Sequence, residues 1–227
     1  MSTLHCHAMT MKLMYYGTLI YIFKSYAMHR IFCTLNISMI GDNGFDPLGL
    51  GSDPETMVWM RQAELQHCRW AMLGTVGILV PEILTANGFG DFPEWNVAGA
   101  AATFPKEEIP SLVAAQLALM GWAEFRRWAD IDNPGCVNED PIFKGNAVTG
   151  TDVGYPGGKW FDPLGYANGS PEKITDLRSK EIANGRLAMV AIFGFATQTF
   201  ITGKGPITNL SDHLADPSGN TIFTQFG

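Results

Sequence analysis

Glu64-Leu65-Gln66-His67-Cys68-Arg69-Trp70-Ala71-Met72 and Glu181-Ile182-Ala183-Asn184-Gly185-Arg186-Leu187-Ala188-Met189 are two copies of one pattern. Each places a metal-ligand type, His67 or Asn184, three residues after a Glu, and an Arg five after it. Each follows a further shared segment, Phe45-Asp46-Pro47-Leu48-Gly49 in the first copy and Phe161-Asp162-Pro163-Leu164-Gly165 in the second. Each then runs into a hydrophobic stretch. An acid, a ligand and an Arg at the mouth of an apolar helix, twice, is more than core packing requires.

The rest of the chain is poor in charge. Of 227 residues, 16% are charged and 46% hydrophobic, and the net charge is −7, a composition unlike that of a soluble domain of this size. No cluster of Lys and Arg suggests a nucleic-acid surface. Cys6, Cys33, Cys68 and Cys136 are scattered and read as free thiols. Three stretches are long enough for helices that are buried or in a bilayer: residues 57–84, 111–129 and 171–201. The first and third lack about 20 uninterrupted apolar residues, and reach a span only if Glu and Arg enter the membrane. Ionisable groups there are costly and must be paired or ligated. Pro81 is expected to kink or end the first helix, and residues 208–216 suit a short amphipathic surface helix. Eight of 15 Lys and Arg lie between Arg126 and Arg186. The positive-inside rule therefore puts the N-terminus and the second loop on the cytoplasm-like face, with the C-terminus opposite.

Five residues turn a helix by about 140°, so Glu64 does not face Arg69, nor Glu181 Arg186. A crossed arrangement satisfies both: Glu64 with Arg186, and Glu181 with Arg69. It requires the first and third helices to cross as a pseudo-twofold pair. A carboxylate bound to one Arg keeps further lone pairs, and His67 and Asn184 offer a nitrogen or an oxygen. The groups do not converge in threes as a bare Zn²⁺ or Fe site needs. They suit single axial donors to a metal whose other positions are filled, and Mg²⁺ in a macrocycle takes such hard donors. Alone, His67 would be a hydrogen-bonded core residue; the repeat argues for a ligand. Gln198 and His213 are weaker candidates. Gln116 and Glu124 share a face of the second helix and could equally be its polar stripe, with Arg127 placed to pair with Glu124.

At these residues the chain resembles the light-harvesting chlorophyll a/b-binding proteins, over about residues 41–226. The segments Gly121-Trp122-Ala123-Glu124, Arg126-Arg127-Trp128, Asn133-Pro134-Gly135 and Asp152-Val153-Gly154-Tyr155-Pro156-Gly157-Gly158 are similar to its photosystem I antenna branch, and most to that branch's type II members. The resemblance implies an all-α thylakoid protein of three transmembrane helices and a short amphipathic helix near the C-terminus. It implies chlorophyll a, chlorophyll b, carotenoids of the lutein, violaxanthin or β-carotene type, and a structural lipid. Mg ligands would be Glu64, His67, Glu181, Asn184, Gln198 and His213, with Glu124 and Gln116 acting directly or through water. Arg69, Arg186, Arg127, Lys180 and Phe45 would contact pigments or compensate charge. Phe45, Asp46 and Pro47, and likewise Phe161, Asp162 and Pro163, would flank carotenoids. Partners would be the photosystem I core and a neighbouring antenna subunit, paired as a heterodimer, in the chloroplast thylakoid membrane with a stromal N-terminus and a lumenal C-terminus. Some family members carry Asn at the place of His67 and have very red-shifted chlorophylls. With His67 present, the most extreme low-energy form is not expected.

Residues 1–40 depart from that family. They hold no Asp or Glu and three Ser, and the run from Leu13 to Phe23 is too short to span a membrane. They read as a divergent segment or the product of an incorrect gene start, with residues 41–227 as the pigment-binding domain. An antenna without chemical turnover is the function expected. A photoprotective, energy-dissipating relative is the alternative, and no nucleophile and base recommend an enzyme.

Overall fold

The computed structural model describes residues 39–99, 107–138, 148, 152–221 and 224, so the expectations for residues 1–38 lie outside the described residues. The chain divides into two compact units, Met1–Arg61 and Gln62–Gly227. The elements are α1 (Pro54–Ala86), α2 (Ile109–Asp132), α3 (Gly158–Phe161), a 3₁₀ turn (Tyr166–Asn168), α4 (Pro171–Thr202) and α5 (Pro206–Ala215). No strand occurs among the described residues; Asp152 and Tyr155 form an isolated bridge.

The two long helices start alike. Pro54 opens α1 and Pro171 opens α4, each where its missing N–H costs nothing. Asp53 Oδ2 accepts the Thr56 N–H at 3.1 Å, and Ser170 Oγ accepts the Lys173 N–H at 3.4 Å. Such caps satisfy donors that a helix leaves over. The segments before them repeat as well. Asp46 accepts the Leu50 and Gly51 N–H groups at 3.0 and 2.8 Å, and Asp162 those of Tyr166 and Ala167 at 2.9 and 2.7 Å. Gly49 and Gly165 close these turns at φ 65° and 69°, a region that favours glycine.

The bonds from Gly51 and Leu50 hold the Asp46 carboxyl below its ordinary value of 3.8. A lowered folded pKa stabilises the turn fully above the unfolded value, and that contribution is lost as pH falls through the folded one. The protection factors of the Leu50 and Gly51 amides, taken against intrinsic exchange at each pH, are therefore expected to fall as pH drops below the ordinary carboxylate value, and in Asp46→Asn to be low already at neutral pH.

Pro81, expected to kink or end α1, does not end it; the helix runs on to Ala86. The stop is Gly88 at φ 78°. Gly88 N–H bonds Thr85 O and Phe89 N–H bonds Leu84 O, both at 3.0 Å, the paired bonds of a Schellman ending. At 33 and 32 residues, α1 and α4 are each about 50 Å long, more than the roughly 30 Å apolar core of a bilayer. Among the described residues these two helices are long and apolar enough to cross a membrane. α2, at 24 residues, buries none of its side chains.

Packing between α1 and α4 is narrow. Leu65, Cys68 and Ala71 are buried on α1, and Ile182, Gly185 and Ala188 on α4. These are the same offsets from Glu64 and Glu181, every third residue along one face. A Cβ added to Gly185 would overlap Cys68, lying 2.6 Å from its Sγ and 3.0 Å from its Cα. Glycine is what lets the backbones meet there.

The short helix expected over 208–216 is α5. Its own N-cap, Gly205, supplies no side-chain bond. Glu82 of α1 does so instead: its Oε2 accepts the Ile207 N–H at 3.0 Å, placing negative charge at a helix N-terminus. Glu82→Ala is expected to cost about 1 kcal/mol locally, read as faster exchange at the Ile207 amide, with Glu82→Gln closer to wild type.

Candidate functional site

Two ion pairs flank the seam. Arg186 Nε donates to Glu64 Oε1 at 2.7 Å, and Arg69 Nε donates to Glu181 Oε1 at 2.7 Å. Each bond joins one long helix to the other, with Leu65, Cys68, Ile182 and Gly185 beside it. Neither Arg reaches the Glu of its own helix. The partners are part-buried, so each charge needs the other more than a surface pair would.

One turn from each Glu side chain lies a donor-bearing group with a fixed orientation. His67 Nδ1 lies 2.7 Å from Ala63 O. A carbonyl can only accept, so the proton of neutral His67 sits on Nδ1 and the Nε2 lone pair points away from its helix. Asn184 Nδ2 donates to Lys180 O at 2.8 Å, which leaves Oδ1 as the outward atom. His213 repeats the arrangement on α5, with Nδ1 2.8 Å from Asn220 O. His67, Asn184 and His213 are all exposed. Each donates one hydrogen to a carbonyl and keeps a lone pair on an exposed side chain.

On α2, Glu124 Oε2 accepts from Arg127 Nε and Nη2 at 2.8 and 2.6 Å, and its Oε1 accepts from Gln66 Nε2 of α1 at 3.3 Å. Gln116 and Gln198 are exposed and make no side-chain hydrogen bond among the described residues. Lys180 Nζ pairs with Asp176 at 2.6 Å, one turn back on α4. Phe45 and Phe161 are both exposed beside their Asp turns. Among the described residues, no three His, Cys, Asp or Glu side chains gather to hold a metal ion. The donors are single and separated, which fits a metal whose remaining positions are already filled.

A second constellation was missed by the sequence reasoning. The loop from Asp152 to Tyr155 is clasped from both long helices. Gln62, 7% exposed, donates to Val153 O at 3.0 Å, and Arg69 Nη1 donates to Gly154 O at 2.9 Å. Arg178 Nη1 pairs with Asp152 at 2.7 Å. The Arg69 and Arg178 guanidinium carbons lie 5.2 and 4.1 Å from the centre of the Tyr155 ring, within cation–π range. Gly154, at φ 88°, leaves no room for a Cβ beside Gln62 Oε1. Arg69 thus serves an ion pair and the clasp together. The usable signal was Arg178, which stands at the repeat position of Arg61. Gln62, whose repeat counterpart is Ser179, carried no signal.

Residues 33–200 match the family model described as Chlorophyll A-B binding protein. Chlorophyll a-b binding protein 7, chloroplastic, of Solanum lycopersicum is 59% identical over 192 residues, covering 85% of this chain and 70% of that protein. Photosystem I chlorophyll a/b-binding protein 6, chloroplastic, of Arabidopsis thaliana is 50% identical over the same shares. Photosystem I chlorophyll a/b-binding protein 3-1, chloroplastic, from the same plant is 42% identical, covering 84% of this chain and 75% of its own length.

Proposed function

The chain belongs to the chlorophyll A-B binding protein family, and from that premise we propose that it is a light-harvesting antenna subunit serving photosystem I, without chemical turnover. The observation that carries the proposal is the set of outward lone pairs on His67, Asn184 and His213, each fixed by a hydrogen bond to a carbonyl. They stand among apolar side chains that remain exposed, such as Trp70, Leu187 and Phe193 on the long helices and Trp122, Phe125 and Trp128 on α2. Chlorophylls a and b, when bound, supply light absorption and the transfer of excitation.

The chain's own residues position and tune. Glu64 and Glu181 each offer a ligand oxygen while an Arg of the opposite helix balances the charge. His67 and Asn184 add a neutral nitrogen and a neutral oxygen one turn along. Glu124, His213, Gln198 and Gln116 complete the ligand set, the last directly or through water. Carbonyl-bonded His and Asn cannot rotate freely, so their ligand atoms keep fixed positions. Arg127 compensates Glu124. Lys180 faces a pigment or lipid headgroup. The turn at Phe45, Asp46 and Pro47 flanks a carotenoid, as does the turn at Phe161, Asp162 and Pro163.

In this reading α1, α2 and α4 all span the thylakoid membrane, with residues 41–227 as the pigment-binding domain. α1 and α4 cross as a pseudo-twofold pair, supported by buried positions at equal offsets and by the reciprocal ion pairs. The N-terminus is stromal and the C-terminus lumenal. The partners are the photosystem I core and a second antenna subunit, in a heterodimer.

Reconstitution of the full chain with chlorophylls a and b and carotenoids tests this. Many bound chlorophylls and efficient transfer from b to a in the fluorescence excitation spectrum are expected. Few pigments and a strongly shortened excited-state lifetime would point to an energy-dissipating relative instead. His67→Ala is expected to remove the chlorophyll held there while the fold persists, measured by pigment counting.

A further inference from the structure

Gln66 lies next to His67 on α1, yet its amide reaches another helix. Its Nε2 donates to Glu124 Oε1 at 3.3 Å, while Arg127 holds the other carboxylate oxygen through two donors. Without Gln66 the Glu124 carboxylate is held at Oε2 alone and can turn about its terminal torsion, which is intrinsically broad. With Gln66 both oxygens are fixed and the carboxylate plane is set. The bond also ties the ligand group of α2 to the α1 residue adjoining His67.

We propose that Gln66 is a positioning residue that fixes the Glu124 carboxylate against α1 at the position adjoining His67 in sequence, and so sets the separation and relative orientation of the two chlorophylls that Glu124 and His67 hold. The inference rests on the antenna reading, in which Glu124 and His67 are ligands. Coupling between two transition dipoles depends steeply on both distance and angle. A side chain that holds one ligand against the neighbour of the other therefore acts on the spectrum without touching a metal. A carboxylate oxygen has lone pairs for both an amide and a ligand bond, so the Gln66 bond need not break when Glu124 coordinates.

The test compares Gln66→Met, which keeps the volume and removes the donor, with Gln66→Lys, which restores a donor of similar reach. Glu124→Ala serves as the control, and all are reconstituted as full chains with mixed pigments. Pigment stoichiometry, visible circular dichroism and low-temperature emission are read. Gln66→Met is expected to lower the amplitude of an exciton band and shift the emission by more than its loss of chlorophyll explains. Gln66→Lys is expected to return both toward wild type. Glu124→Ala should lose a chlorophyll together with the same exciton band.

If Glu124→Ala keeps its full chlorophyll complement, Glu124 is no ligand and the underlying assignment fails. If that control loses the band while Gln66→Met matches wild type, the assignment stands and the role of Gln66 is overturned. Equal changes in Met and Lys would reduce Gln66 to packing and overturn the proposal as well. Should Gln66→Met fail to assemble, Gln66→Ala takes its place under the same criteria.

Discussion

Arg186→Leu is expected to lower the yield of pigmented, folded protein far more than His67→Ala. The substitution removes the guanidinium that stands 2.7 Å from Glu64 and leaves that carboxylate at helix depth without its counter-charge. Breaking a desolvated pair by deleting one partner costs about 3–5 kcal/mol, comparable to a large part of a domain's net stability. The lower end applies here, because Glu64 and Arg186 retain 27% and 38% exposure. In the antenna reading, His67→Ala deletes a neutral group whose hydrogen bond lies within one helical turn, so the expected loss is confined to one pigment. The measurement is reconstitution yield at fixed pigment, followed by the thermal midpoint of the exciton signal. Equal yields for the two variants would remove the ion pairs from the account of folding. Arg69→Leu is expected to be at least as damaging, because Arg69 also holds Gly154 O of the clasped loop.

Gly185→Ala is the second large effect. The new Cβ meets Cys68 Sγ at 2.6 Å and its Cα at 3.0 Å, and a backbone atom cannot be moved aside as a side-chain tip can. The helices must separate, which opens both ion pairs at once. Overpacking of this kind costs about 1–3 kcal/mol, sometimes more. Gly194→Ala provides the comparison on the same helix. Nothing lies within 4 Å of that Cβ, so relief of glycine's entropy should stabilise the helix by about 0.5–1 kcal/mol. Opposite signs for one chemical change, read as shifts in the thermal midpoint of reconstituted protein, would locate the seam. A destabilisation of equal size at both positions would refute the close approach.

Much of this was written in the sequence. The pairing of Glu64 with Arg186 and Glu181 with Arg69 was legible from helical angle and the sequence repeat together, since five residues put each Arg well off the side of its own Glu. The helix starts were legible too, and more fully than the reading used. Asp53-Pro54 and Ser170-Pro171 are capped in the same way, and extending the repeat back to them places both boundaries. Of the two effects open to Pro81, an end does not occur, because the helix closes further on through the Schellman bonds at Gly88. The loop clasp was illegible for a different reason. Gln62 and Arg178 act on backbone carbonyls and an aromatic ring in an aperiodic loop, and no spacing rule links a helix position to such partners. The Gln66–Glu124 bond was hidden likewise, because it depends on where α2 lies beside α1. Gly185 and Cys68 stood in the repeated pattern, but only coordinates show that they touch.

The narrow seam between α1 and α4 has a consequence for how much of this protein a cell can keep. Five hydrophobic side chains are buried among the described residues, too few to offset the conformational entropy of ordering so long a chain. In the antenna reading, pigment and lipid do what a core does elsewhere. Newly made chains that find no chlorophyll then remain open to proteases, because cleavage follows the population of opened forms. Abundance is then expected to follow pigment supply.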